Sequence, residues 1–496
     1  MNFFYNFYFF TPEIFIITNL FILLLFGVFY SVNKNYGLPI IFKSLGFVIL
    51  QLFIFTLLLA FNQEPHLVFL FNKFFLSDYF TYYARLILLV SVILWFMVSL
   101  NYEDTNKINI FEFWILILLA IVAFSFLLHA FDLTTIYLSI EFQSLIFYIL
   151  ASLNRTSEFS TEAGLKYFVL GAFASAFLLF GFTILYGFTG LTNLQDFCKF
   201  FSSTISYDFI TMHGILISIF FITIAILFKL NIAPFHFWAP DVYEGSNTII
   251  TAFFATLPKI ALFSVLIKIL VFVAHDLILP WRNLIILCCL ISSVVGTLGA
   301  LNQTKWKRFV AYSSISHMSF LLLALITGDT DSLNSIFFYL IIYIFSTFFF
   351  FSIILNFKII QFPKIYQLRY IFNIQGLNRN NPFLAFCLLI TMFSMAGVPP
   401  LAGFFAKFFT IFSALKANSY GLPIFLLSLN CVASFYYLRF IKTMYFDETT
   451  KILIFQPMDK LNAVLSSISL IFLVFIFFDI EFTLIITKLM TSCFIK

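Results

Sequence analysis

HGILISIFFITIAILFKLNIAPFHFWAPDVYEGSNTIITAFFATLPKIALFSVLIK, residues 213–268, decides the fold. Two apolar runs, each long enough to cross a bilayer, flank a short polar link at Pro240–Ser246. Lys229 sits inside the first run and Lys259 inside the second. An ammonium at membrane depth costs about 2.5–3.5 kcal/mol on insertion scales, so a chain that keeps one uses it. Pro234 follows Lys229 by five residues and, having no N–H, leaves the Leu230 carbonyl without its helical donor. A buried cation beside a broken helix points to transport, because irregular backbone survives at depth only beside protein or water.

Composition places the whole chain in the same class. Of 496 residues, 62% are hydrophobic and 10% charged, against about 25% charged in soluble proteins. Mean hydropathy is +1.06. The 78 Phe have no physical requirement over Leu; an AT-rich genome explains them. The net charge of +5 is too dispersed to suggest a nucleic-acid partner. The six Cys show no metal or redox spacing and read as small apolar filler. The opening MNFFYNFYFFTPEIF lacks the basic start of a signal peptide and the Arg and Ser of a transit peptide. The chain is therefore expected either to be made in the compartment where it works or to use its first span as the insertion signal.

Runs of about 20 apolar residues predict an all-α polytopic membrane protein with about fourteen transmembrane helices. The fifth falls near 131–152, the seventh near 211–237, the twelfth near 382–414 and the fourteenth near 462–486. The longest links, near 188–210 and 358–381, are too short for a soluble domain, and no Rossmann unit, P-loop or haem motif occurs. Links after odd-numbered spans hold roughly fifteen Lys and Arg against about six on the other side, so the odd links are expected inside and both termini outside. A second break is expected at Ser394–Gly403, where Pro399 and Pro400 free the carbonyls of Met395 and Ala396 and Lys407 follows. Spans seven and twelve each pair proline with lysine, five spans apart and so running in opposite directions. That is the pattern of two inverted five-helix repeats with broken helices 7 and 12. The chain divides accordingly into N-terminal helices 1–3 over 1–107, a first repeat over 108–276, a second over 277–446, and a last helix over 447–496.

Glu141 is the one acid of the fifth span, about ten residues from either end. It is expected either to pair with Lys229 across two helices or to stay protonated against a neighbouring helix. Lys259, at midspan, has furthest to snorkel, and Lys407 lies nearer an end. Lys268, Lys43 and Arg85 lie close enough to span ends to snorkel to the interface. Glu162 and Lys166 read as a surface i,i+4 pair. His236 follows the first break with Asp241 and Glu244 nearby, which suits proton access or a structural role better than metal binding. His317 belongs either to a polar track or to ordinary packing. A buried amine beside a carboxylate keeps its proton; withdrawing the carboxylate releases it, and returning it favours reloading. Moving one proton against 100 mV costs about 2.3 kcal/mol, which such a switched pair can match.

At these residues the sequence resembles a known family. PFHFWAPDVYEGSNTIITAFFATLPKIALF (234–263), LSIEFQSLIFYILA (138–151), EAGLKYFVLGAFASAFLLFG (162–181), AYSSISHMSF (311–320) and MAGVPPLAGFFAKF (395–408) resemble, in order, the antiporter-like membrane subunits of NADH–ubiquinone oxidoreductase (respiratory complex I), and among them the chain 2 family. The matches span about residues 80–450. The resemblance implies fourteen helices in two inverted bundles and a proton path along the membrane midplane. The family's buried Glu lands on Glu141 and its lysines on Lys229, Lys259 and Lys407, with His236 and His317 as weaker proton-transfer candidates. It also implies no redox centre on this chain, with NADH, FMN, iron–sulfur clusters and ubiquinone on partner subunits. Expected partners are other membrane-arm subunits, including other antiporter-like chains, and membrane lipid such as cardiolipin. The expected location is the mitochondrial inner membrane, with both termini on the intermembrane-space side and the chain organelle-encoded. Two departures stand out. Many relatives have Pro after the Glu-Gly-Ser segment, where this chain has Asn247-Thr248-Ile249; and Ser319 replaces the family's Gly after His-Met. Two other readings share the sequence features: an Mrp-type cation/proton antiporter subunit working without redox partners, and a scaffold of the membrane arm that does not pump.

Overall fold

A chain whose helices are apolar on every face must lie in lipid, because no polar stripe is left for water. The computed structural model, which describes residues 3–30, 42–102, 111–202, 209–355, 357–361, 364–447 and 460–494, has that character. Large side chains such as Phe173, Ile424 and Phe435 lie open on the outer helices. Every residue of Thr248–Ile267, by contrast, is buried.

Each expected span has a helix or a helix pair at its place. In order they are Thr11–Tyr30, Phe42–Phe61, Tyr79–Tyr102, Glu112–His129, Leu133–Ala151, Glu158–Thr189, the pair Phe209–Lys229 and Trp238–Gly245, and Thr248–Ile267. Then come Ile278–Leu301, Trp306–Leu325, Thr330–Leu355, the pair Pro382–Ala396 and Ala402–Lys416, Gly421–Tyr445, and the pair Lys460–Phe475 and Ile480–Thr491. Among the described residues twelve helices are long and apolar enough to cross a membrane singly. Spans eight and eleven form the centre, in contact with each other and with spans three, ten and twelve. The boundary expected at residue 107 and the side chain of Lys43 lie outside the described residues.

Three spans are each divided into two helices. Phe209–Lys229 stops one residue short of the carbonyl that Pro234 orphans, and Asn231 turns the chain with φ 63. The indole Nε1 of Trp238 donates to Phe228 O at 2.9 Å, satisfying a carbonyl of the last turn. In span twelve the helix ends at Ala396 with Gly397 at φ 85, a backbone that glycine adopts without strain. Span fourteen, read from the sequence as one helix, is bent by 87° between Phe475 and Ile480. Neither Pro nor Gly sits there; Asp479 accepts from Phe482 N at 3.2 Å and starts a new helix.

The links sort by parity. Those after spans five, seven, nine and eleven meet at one end: Asn154 donates to Asn247 Oδ1 (2.6 Å), and Ile371 N donates to Thr304 O (2.9 Å). Those after spans two, four and six meet at the other: Phe131 N bonds Phe74 O (3.0 Å), Leu133 N bonds Thr192 O (3.0 Å), and Asn193 bonds Lys73 O (2.9 Å). Two antiparallel hairpins sit in these links. Strands β1 (Val68–Leu70) and β2 (Phe75–Ser77) pair Val68 with Ser77; β3 (Lys358–Gln361) and β4 (Lys364–Gln367) pair Lys358 with Gln367.

Candidate functional site

Asp132 caps span five through Thr134 N, which fixes the start of the helix and places Glu141 near its middle. Span seven ends at Lys229, so the ammonium lies at the break. The two are an ion pair, Glu141 Oε1 to Lys229 Nζ 3.6 Å, longer than a hydrogen bond. Ser144 holds the other carboxylate oxygen at 3.4 Å. Glu141 is 23% exposed and Lys229 10%. On the same helix face Leu138 and Leu145 are open, so the acid lies at the margin of the molecule and the amine inside it.

Behind Lys229 lies a small cavity lined by Gln143, Tyr148, Lys229, Asn231 and Lys259. Among the described residues Gln143 Oε1, Tyr148 OH, Lys229 Nζ and Asn231 Oδ1 have no hydrogen-bond partner. About 20 Å³ of the cavity admits a water-sized sphere, room for about one water with several polar neighbours. The first two candidate lysines thus share one polar cavity.

Lys259 follows Pro258, which interrupts the hydrogen bonding of the central span. Its side chain is 2% exposed. Nζ donates to Tyr343 OH at 2.5 Å and lies 4.1 Å from that ring's centre. Tyr343 packs against His317, ring centres 5.5 Å apart. His317 is held on both nitrogens, Nδ1 to Tyr339 OH (2.8 Å) and Nε2 to Tyr437 OH (3.0 Å). A neutral imidazole donates from one nitrogen and accepts at the other, so exchanging tautomers between two hydroxyls passes a proton across the ring. Lys407, buried, closes the row: Nζ donates to Met395 O (2.9 Å), Ala396 O (3.0 Å) and Asn430 Oδ1 (2.6 Å). The two carbonyls are those that Pro399 and Pro400 free, so the amine caps the broken helix.

The structure thus places Lys229, Lys259, His317 and Lys407 inside the protein, with Glu141 at the margin and paired to the first of them. His236 stands apart. It is buried, and its ring stacks on Phe237. Asp241 and Glu244 turn away from it: Asp241 pairs with Lys166 (2.7 Å) and Arg308 (3.0 Å), and Glu244 pairs with Lys305 and Arg308. Glu162 and Lys166 form the expected i,i+4 pair at 2.8 Å. Snorkelling of Arg85 and Lys268 is not what the structure shows. Arg85 turns inward to Glu13 (3.4 Å) and Gln63 (2.6 Å), with His129 3.4 Å from the same carboxylate oxygen. Lys268 donates to Leu128 O (2.6 Å) and Ala130 O (3.0 Å) at the end of span four. Both are buried on these internal partners. Sequence reasoning missed Tyr343, Tyr339, Tyr437, Asn231 and Asn430; the i,i+4 spacing of Tyr339 and Tyr343 inside an apolar span was the available signal.

Comparison with known proteins follows the same geometry. The family model "NADH:quinone oxidoreductase/Mrp antiporter, TM" matches residues 130–435. NADH-ubiquinone oxidoreductase chain 2 of Marchantia polymorpha is 39% identical over 97% of each chain. The chain belongs to the chain 2 family of NADH–ubiquinone oxidoreductase. A chain of respiratory complex I from Thermus thermophilus superposes with TM-score 0.79 at 26% identity, covering 95% of this chain and 98% of that one. A chain of the Mrp complex from Dietzia shares the fold, with TM-score 0.80 at 17% identity, covering 97% and 96%. Membership in the chain 2 family places the row of charges in an antiporter-like membrane subunit.

Proposed function

We propose that this chain is a proton-translocating membrane-arm subunit of NADH:ubiquinone oxidoreductase in the mitochondrial inner membrane. The observation that carries the reading is a succession of polar groups inside the protein: the Glu141–Lys229 pair, the cavity that Lys229 shares with Lys259, the Lys259–Tyr343 hydrogen bond and the Tyr343–His317 ring contact, with Lys407 beyond. Chain 2 of Marchantia, 39% identical, bears the name of that enzyme. In the proposed mechanism the 3.6 Å Glu141–Lys229 pair is the switch: separation frees the Lys229 proton to the cavity, and closure reloads the amine. Lys259 receives a proton from the cavity side and passes it through Tyr343 towards His317, whose tautomer exchange carries a proton between the Tyr339 and Tyr437 hydroxyls, and Lys407 takes it. The half-open position of Glu141 suits a neighbouring antiporter-like chain packed on that face, which would move the carboxylate.

The row crosses two five-helix units, 108–276 and 277–446, which we read as inverted repeats; the paired breaks at Lys229 and Lys407 support this. The charge asymmetry of the links supports both termini on the intermembrane-space side. NADH, FMN, iron–sulfur clusters and ubiquinone belong on partner subunits in this reading, and the chain is organelle-encoded. An Mrp-type antiporter has the same fold, and a scaffold has the same helices, so the test must separate all three. The assembled enzyme should purify with flavin and iron–sulfur content, and Lys229→Ala reconstituted in liposomes should lower the protons moved per NADH. Purification without redox partners would favour the antiporter, and an unchanged proton yield the scaffold.

A further inference from the structure

The links after spans five, seven, nine and eleven enclose a cavity of about 330 Å³, away from the proton row. Its walls carry Lys305, Lys307, Arg369, Ser246, Asn247 and Glu244. The one carboxylate of that set is already engaged, by Lys305 and Arg308. Lys307 Nζ donates to Ser246 O at 2.5 Å and lies within electrostatic range of Arg369. Arg369 has no acidic partner among the described residues. Lys307 and Arg369 repel each other, and Glu244, the carboxylate within range of Lys307, is shared with Lys305 and Arg308, so an entering anion would lower the energy of the wall. Two further polar residues line the same space. Ser246 is 1% exposed, and its Oγ has no hydrogen-bond partner. Asn247 gives its Oδ1 to Asn154, while its Nδ2 donor is buried without an acceptor. Asn247 also begins span eight, so the free N–H groups of that helix's first turn add positive potential nearby. Asn247 opens the segment Asn247-Thr248-Ile249, where this chain departs from the Pro-bearing pattern it resembles.

The rim decides which anion fits. Phe159 is 60% exposed at the cavity's edge, and Tyr370 and Phe372 stack on each other, ring centres 5.3 Å apart, both open. A cationic floor with an apolar rim, at the ends of membrane spans, matches a headgroup with chains beside it better than a free ion. We propose that this cavity binds the phosphodiester headgroup of an anionic membrane lipid, with Arg369 and Lys307 facing the phosphate and Ser246 Oγ and Asn247 Nδ2 donating to its oxygens.

The test uses the assembled complex and a photoactivatable phosphatidylglycerol. Labelling is expected within residues 245–248 or 367–370, and several-fold weaker with a phosphatidylcholine probe. Removing one cation, in Lys307→Gln or Arg369→Gln, should cut labelling about fivefold, the equivalent of about 1 kcal/mol per basic side chain near the lipid. Asn247→Pro should reduce it less, by about two- to threefold, and serves if a charge variant fails to assemble. Excess inorganic phosphate should not displace the probe. Equal labelling by both lipids, undiminished labelling in the variants, or displacement by inorganic phosphate would each overturn the proposal, the last by showing a free-anion site.

Discussion

At the scale of single residues, the site is a set of amines with unlike partners. Lys229 has a carboxylate, Lys259 a hydroxyl and a ring face, Lys407 two backbone carbonyls and an amide. Tyr343→Phe removes the one hydroxyl that Lys259 bonds among the described residues and leaves a buried ammonium unsatisfied, at a cost of about 1–3 kcal/mol. We expect assembly to survive and the coupled rate to fall by about tenfold or more, read as proton uptake by liposomes during NADH oxidation. Glu141→Gln keeps the size of the side chain and removes its charge. It should reduce proton yield per NADH, whereas Glu141→Asp, which retains the charge one methylene further back, should keep part of it. The four charged members were legible because any charge inside an apolar run demands a reason. The tyrosines were not, because a midspan Tyr satisfies the same apolar pattern as Phe, and this chain has 78 Phe around its 23 Tyr.

At the scale of elements, the breaks position the amines. Proline marked both from the sequence, since a missing N–H has one structural consequence wherever it falls. What proline could not show is what holds the broken ends: the Trp238 indole on the last turn of the span-seven helix, and the Lys407 ammonium on the carbonyls freed in span twelve. Asn231 holds the left-handed turn and donates to Tyr243 OH at 3.3 Å. Asn231→Ala should lose about 1–2 kcal/mol in backbone strain alone, and Asn231→Gly less, measured as thermal stability of the assembled complex. The bend in span fourteen escaped the hydropathy reading because a window of that length averages over one Asp. Asp479 was nevertheless the signal, an N-cap residue inside an apolar run.

At the scale of the whole molecule, parity governs the fold. The lysine and arginine count separates odd from even links, and in the structure the two groups meet at opposite ends. Less legible was how the first three spans hold to the rest. Arg85 and Gln63 come from spans three and two or its end, Glu13 from span one and His129 from span four, and they converge in one buried cluster. No periodicity links residues so far apart in sequence. Arg85→Ala would leave the Glu13 carboxylate buried without its arginine, at about 3–5 kcal/mol. It should lower the yield of assembled complex, and the pair Arg85→Met with Glu13→Leu should restore much of it.

The central claim is that the buried amines act as one connected row, and Lys259 is where its two halves join. Lys259→Met removes the charge while leaving Glu141, Lys229 and Lys407 in place, and replacing a buried ion by an apolar side chain of similar size is expected to preserve folding. Protons translocated per NADH oxidised, measured on the assembled enzyme in sealed liposomes, should fall by the full share of this chain. An unchanged ratio in a fully assembled Lys259→Met enzyme would contradict the account.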